Sequence, residues 1–159
     1  MLTSTKRPEL VHMAISEVMN PYLLTVEAYA SLAAAYELMK KNKIRRLPVL
    51  KDKKLVGIIT HRDVLEAKPS DVFHSLTIWE LNNLLSTLIV ELVMTRKPIT
   101  VYQTDTVGHA AEIMLDEKIG GIPVLDANDK LVGIITESDI FRLIVRRWRD
   151  DNMQRSGTG

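Results

Sequence analysis

Lys54-Leu55-Val56-Gly57-Ile58-Ile59-Thr60 recurs unchanged as Lys130-Leu131-Val132-Gly133-Ile134-Ile135-Thr136, and each copy runs on to an aspartate, Asp63 and Asp139. Working outward, Val18-Met19 matches Val93-Met94, Thr25-Val26 matches Thr100-Val101, and Lys43-Ile44 matches Lys118-Ile119. Pro48-Val49-Leu50 matches Pro123-Val124-Leu125. The offset is 75 residues up to that proline run and 76 after it, so copy two carries one extra residue between Leu125 and Lys130. A duplicated unit sets the frame for every other reading, and any ligand site should come in two versions.

The period changes within each copy. The spacing of Leu32, Ala35, Tyr36 and Met39 predicts a helix over 31–41, and Val107, Ala110, Ala111 and Met114 predict its counterpart over 106–118, capped by Thr104 or Asp105. Short apolar runs flank Lys51-Asp52-Lys53 and predict a strand hairpin; in copy two the turn is Asp126-Ala127-Asn128-Asp129. A strand at 23–26, or 99–101, precedes each helix, and a short helix starts near Arg62 or Ser138. Each unit therefore reads as strand–helix–strand–strand–helix, a mixed α/β (α+β) fold. Val49, Ile58 and Ile59 lie in runs apolar on both sides, which implies a sheet covered on both faces.

The expected divisions are an N-terminal tail (1–10), a first repeat (11–67), a helical connector (68–86), a second repeat (87–150) and a disordered tail (151–159). Lys68-Pro69-Ser70-Asp71 breaks the chain. Thr77-Ile78-Trp79-Glu80 has the form of a capping box, followed by Leu81, Leu84, Leu85 and Leu88 at helical spacing. This helix serves as an intramolecular cover or as a dimer seam, and the first reading is favoured.

Composition narrows the class. The 159 residues are 46% hydrophobic and 26% charged, as in ordinary globular proteins, and the net charge of +1 exerts no general pull on nucleic acid or membrane. Without cysteine there is no disulfide, thiolate nucleophile or thiolate metal site, which fits a cytoplasmic location. No apolar run approaches the roughly 20 residues that span a bilayer, and residues 1–8 lack a signal-peptide core. His12, His61, His74 and His109 lack metal-ligand spacing, and no nucleophile–base pairing is evident, so neither a metal site nor an enzyme is expected. Arg142, Arg146, Arg147 and Arg149 flank Ile144 and Trp148 on a terminal helix; a solvated face is the better reading than a nucleic-acid surface.

Three duplicated elements carry a family resemblance: Val18-Met19 with Val93-Met94, Ile44-Arg45-Arg46-Leu47-Pro48-Val49 with Ile119-Gly120-Gly121-Ile122-Pro123-Val124, and Gly57 to Asp63 with Gly133 to Asp139. Over 18–145 the chain resembles a stand-alone pair of CBS domains, the modules named after cystathionine β-synthase. The resemblance implies two tandem units packed as a pseudo-two-fold pair, in a homodimer. It implies a sensor of AMP, ADP or ATP, with NAD and S-adenosylmethionine left open, that modulates an unknown partner protein and requires no cofactor. The rival reading is a constitutive interaction scaffold without a ligand.

The chemistry suits that implication. One carboxylate offers two acceptor oxygens to the adjacent hydroxyls of a ribose, a role open to Asp63 and Asp139. Helix-start N–H groups near Thr60, Thr136 and Ser138 favour phosphate. Leu24, Ile99, Ile59 and Ile135 are candidate walls for an adenine slot. The resemblance further places Arg45, Arg46 and Pro48 with the ligand of Asp139, and Gly120, Gly121 and Pro123 with the ligand of Asp63. Thr-x-x-Asp is equally a helix-capping pattern, and the two roles are compatible.

Overall fold

The computed structural model describes residues 9–67 and 77–156. The chain break at Lys68-Pro69-Ser70-Asp71, the first eight residues of the N-terminal tail and residues 157–159 of the C-terminal tail lie outside them. Contacts divide the chain into two units. One is Leu24–Pro98; the other joins the segment up to Leu23 with the segment from Ile99 onward.

In the unit Leu24–Pro98, strand β1 (Val26–Glu27) leads to helix α1 (Leu32–Asn42), then to β2 (Arg46–Lys51), β3 (Lys54–Thr60) and helix α2 (His61–Glu66). Helices α3 (Ile78–Thr87) and α4 (Val90–Val93) follow, and strand β4 (Thr95–Arg96) ends the unit. The sheet order is β1-β2-β3-β4, with β1 parallel to β2 and the other pairs antiparallel. The second unit repeats this with β5 (Val101–Tyr102), α5 (Val107–Asp116), β6 (Gly121–Leu125), β7 (Leu131–Thr136) and α6 (Glu137–Ser156). Its sheet order is β5-β6-β7.

Local chemistry explains the repeated residues. Ser31 and Thr106 cap α1 and α5 by accepting from the backbone N–H groups of Ala34 and His109. The α5 cap is thus Thr106, not Thr104 or Asp105; the Asp105 carboxylate instead accepts from Tyr102 N–H at 2.8 Å. Lys43 and Lys118 take φ of 54° and 55°, and the next residue donates back to the helix: Ile44 N–H to the Met39 carbonyl (3.0 Å), Ile119 N–H to Met114 (3.1 Å). The duplicated Lys-Ile is therefore a left-handed helix stop. In the first hairpin Asp52 and Lys53 both have positive φ, as a two-residue turn that follows the strand twist requires. In the second, the Asp126 carboxylate accepts from the N–H groups of Asn128 and Lys130, a wider loop that absorbs the extra residue.

The opening segments exchange places. Met94 and Thr95, which introduce copy two in sequence, lie along β3 of copy one, where Thr95 pairs with Ile58. Met19 and Asn20, which introduce copy one, lie along β7, where Asn20 bridges to Ile134. The turns before them are equally matched. Val90 and Glu91 donate to the carbonyls of Ala30 and Ala28; Ile15 and Ser16 donate to those of Asp105 and Gln103. Each sheet thus gains an edge from a segment that the sequence repeat assigns to the other copy.

Two apolar cores result. One gathers Leu32, Ala35, Met39, Leu47, Val49, Ile59, Val64, Leu85, Val90 and Met94; the other gathers Ile15, Val101, Ala110, Met114, Ile122, Val124 and Ile135. Leu85 and Leu88 of the α3 region pack on the first core, so the connector helix is a cover, while Ile78 and Trp79 face outward. Its capping box is formed: Thr77 N–H and hydroxyl both donate to Glu80 Oε2, at 2.7 and 2.8 Å, and these bonds hold the Glu80 carboxyl below its usual range.

Two further expectations differ from the structure. The strands before α1 and α5 start later than expected, at Val26 and Val101, because Val26 and Glu27 pair with Val49 and Leu50, and Val101 and Tyr102 with Val124 and Leu125. The C-terminal segment from 151, expected to be disordered, continues α6 to Ser156. Met94 is buried and Met19 packs on a core.

Candidate functional site

A strand that ends in threonine and passes directly into a helix occurs twice. In the first, Thr60 closes β3 and caps α2. Its N–H and hydroxyl donate to Asp63 Oδ2 at 2.7 and 2.8 Å, and Asp63 N–H donates to Thr60 Oγ1 at 3.2 Å. In the second, Thr136 N–H and hydroxyl donate to Asp139 Oδ2 at 2.8 and 2.6 Å. The capping box that Thr-x-x-Asp permits is complete at Thr60, and in both copies the threonine N–H and hydroxyl hold the carboxylate back at the end of its strand.

The copies differ at the other carboxylate oxygen. Asp139 is only 8% exposed, and its Oδ1 accepts from Arg142 Nη1 at 2.6 Å. Among the described residues, no hydrogen bond reaches Asp63 Oδ1. The position three beyond Asp63 holds Glu66, where copy two has Arg142. Arg142 is the site residue that the motif reading left on a solvated stripe; the i,i+3 pairing of Asp139 with arginine is the signal that marks it.

The segment before each proline lies beside its own copy's threonine. Arg46 pairs in register with Thr60, and His61 N–H donates to the Arg45 carbonyl at 2.8 Å. Gly121 pairs with Thr136, and Glu137 N–H donates to the Gly120 carbonyl at 3.3 Å. Arg45 is exposed and Arg46 half-buried; Gly120 is half-buried and Gly121 buried, as are Pro48 and Pro123. Leu24 and Ile99 are open, at 37% and 39% exposure. Ile59 and Ile135 are 0% exposed and belong to the cores, so their side chains are not open walls for an adenine; the inward face of a covered strand takes them. Ser138 is exposed on the first turn of α6. Beside Thr60, His61 stacks on Tyr36 with ring centroids 5.4 Å apart.

Among the described residues, no cluster of three or more histidine or acidic side chains could hold a metal ion, and no helix is long and apolar enough to cross a membrane.

The duplicated strand–threonine–helix junctions, each with its aspartate, coincide with a family match. The CBS domain model matches residues 15–70 and 89–146. The chain belongs to the CBS domain family. A CBS domain-containing protein of Dictyostelium discoideum is 32% identical over 133 residues, 83% of this chain and 91% of that protein. The CBS domain pair of protein MJ0100, solved in complex with 5'-methylthioadenosine and S-adenosyl-L-methionine, has a TM-score of 0.71 at 29% identity, covering 85% of this chain and 98% of that one. The CBS-pair protein CBSX2 of Arabidopsis thaliana in complex with AMP has a TM-score of 0.69 at 29% identity, covering 84% of this chain and 96% of that one. Six further curated relatives are longer, several of them enzymes, and the chain spans between 22% and 37% of their length. The CBS pair is thus the part shared with those enzymes.

Proposed function

We propose that this CBS pair is a regulatory module that binds an adenosyl ligand, with AMP, ADP or ATP as the first candidates, and alters its fit to a partner protein. The observation that carries the reading is the pair of equivalent carboxylates, Asp63 and Asp139, each held at a strand–helix junction by its own threonine. The carboxylate oxygen that the threonine leaves open can accept from the hydroxyls of a ribose diol. That solved relatives hold AMP, 5'-methylthioadenosine and S-adenosylmethionine supports the same class. In this reading Arg45 and Arg46 serve the phosphate of a bound ligand, while Gly120 and Gly121 leave room beside one. The protein acts in the cytoplasm as a homodimer whose arrangement shifts with ligand occupancy.

A thermal-shift panel over AMP, ADP, ATP, NAD and S-adenosylmethionine tests the reading, since a ligand that binds only the folded state raises the midpoint. At a ligand concentration 100 times Kd the stabilisation is about 2.7 kcal/mol. No shift with any member at millimolar concentration defeats it and favours the second reading, a constitutive scaffold. The internally satisfied capping box of Thr60 and Asp63 is the observation on that side.

A further inference from the structure

We propose that Arg142 is a latch on the Asp139 carboxylate, which an adenosyl ligand must displace in order to bind there; this rests on the adenosyl reading of Asp139. Oδ2 of Asp139 already accepts two hydrogen bonds, from the N–H and hydroxyl of Thr136. A carboxylate oxygen offers two lone-pair sites, so Oδ1 is the face left for a diol. That oxygen holds the Arg142 guanidinium at 2.6 Å. The two partners are unequally anchored. Asp139 is buried by its neighbours, whereas the Arg142 side chain is 68% exposed and can swing into water. Opening the latch therefore moves the arginine and leaves the carboxylate in place.

Copy one lacks the device. Asp63 has the same threonine contacts, but Glu66 stands at the latch position. The two copies of one motif thus differ in readiness: Asp63 presents an oxygen free of hydrogen bonds among the described residues, and Asp139 presents one that must first be released. A screened ion pair in competition with a neutral ligand gives a distinctive signature. Salt weakens the latch and so strengthens adenosine binding at Asp139, the reverse of the usual trend for charged ligands.

The test is calorimetry with adenosine, which has no phosphate to confuse the balance, on the full chain carrying Asp63→Asn so that Asp139 alone is read. Adding Arg142→Gln should tighten adenosine roughly two- to fivefold, the range an exposed ion pair carries, and should abolish the rise of affinity with salt. The converse variant, Glu66→Arg on the Asp139→Asn chain, should weaken adenosine at Asp63 by a similar factor. Adenosine binding that depends on Asp139 but is unchanged or weakened by Arg142→Gln overturns the latch and leaves the adenosyl reading intact. If the Asp63→Asn chain binds no adenosine while its melting transition is intact, the adenosyl reading of Asp139 falls, and the latch with it.

Discussion

Met94 lies against Gly57, its sulfur too close for a β-carbon on that glycine to fit beside it. The same β-carbon would meet the Thr95 carbonyl at 2.9 Å, and one on Gly133 would meet Met19 Sδ at 2.7 Å and the Asn20 carbonyl at 3.0 Å. Each glycine admits the opening segment of the other sequence repeat onto its sheet. Gly57→Ala must push the backbone of β4 away from β3, which should cost about 1–3 kcal/mol, and Gly133→Ala somewhat less. Urea unfolding midpoints measure both; unchanged midpoints would show that the methionines and edge strands yield freely.

Lys118 is a left-handed residue without the freedom of glycine. An L-residue there bears about 1–2 kcal/mol of strain, and glycine relieves it at an entropic cost of about 0.5–1 kcal/mol. Lys118→Gly should therefore stabilise the protein by roughly half to one kcal/mol, read as a higher melting temperature, whereas Lys118→Ala should not.

Loss of either aspartate should weaken an adenosyl ligand. Removing two hydrogen bonds to a ribose costs on the order of 2–3 kcal/mol, which is tens-fold in affinity. Asp63→Asn and Asp139→Asn, each checked for an intact melt, should each remove one binding event from a calorimetric titration. Titrations identical to wild type would leave the aspartates as helix caps alone.

The arginines before the first proline should discriminate by charge. Replacing Arg45 and Arg46 together by alanine should weaken AMP much more than adenosine and reduce the salt dependence of AMP binding, because a guanidinium meets phosphate oxygens as a fork. Equal losses for the two ligands would remove them from the phosphate site.

Acid should loosen the attachment of α4 to the first hairpin. Lys51 Nζ donates to Glu91 Oε1 at 3.0 Å, and this bond holds the Glu91 carboxyl below its usual range. A depressed folded pKa gives stability that is present above the unfolded value of ~4.3 and is lost as pH falls through the lower folded one. Lys51→Met should therefore flatten the acid limb of a stability–pH curve while leaving its shape near neutrality unchanged. An acid limb of wild-type steepness in the variant would assign that loss to other carboxylates.

Much of this was legible along the chain because it is local. Thr-x-x-Asp closes a hydrogen-bonded ring within four residues, so the pattern at Thr60 and Thr136 specifies its own geometry, as Thr77 to Glu80 does for α3. Strand ends were less legible, since Leu24 and Ile99 resemble strand residues in type but find no ladder partner among the described residues. The pairing of Asp139 with Arg142 is also local, yet only the burial of the carboxylate separates it from an ordinary surface pair.

The sequence by itself determined the duplicated unit, the capping box at Thr77 and Glu80, and the two Thr-x-x-Asp aspartates, because each can be read from residues close together in the chain. Only the tertiary structure decided that Met19 serves β7 and Met94 serves β3. Two copies of Val-Met are nearly the same to either sheet, so nothing local assigns one to its glycine. Chain path and core packing, which act over long separations, make that choice.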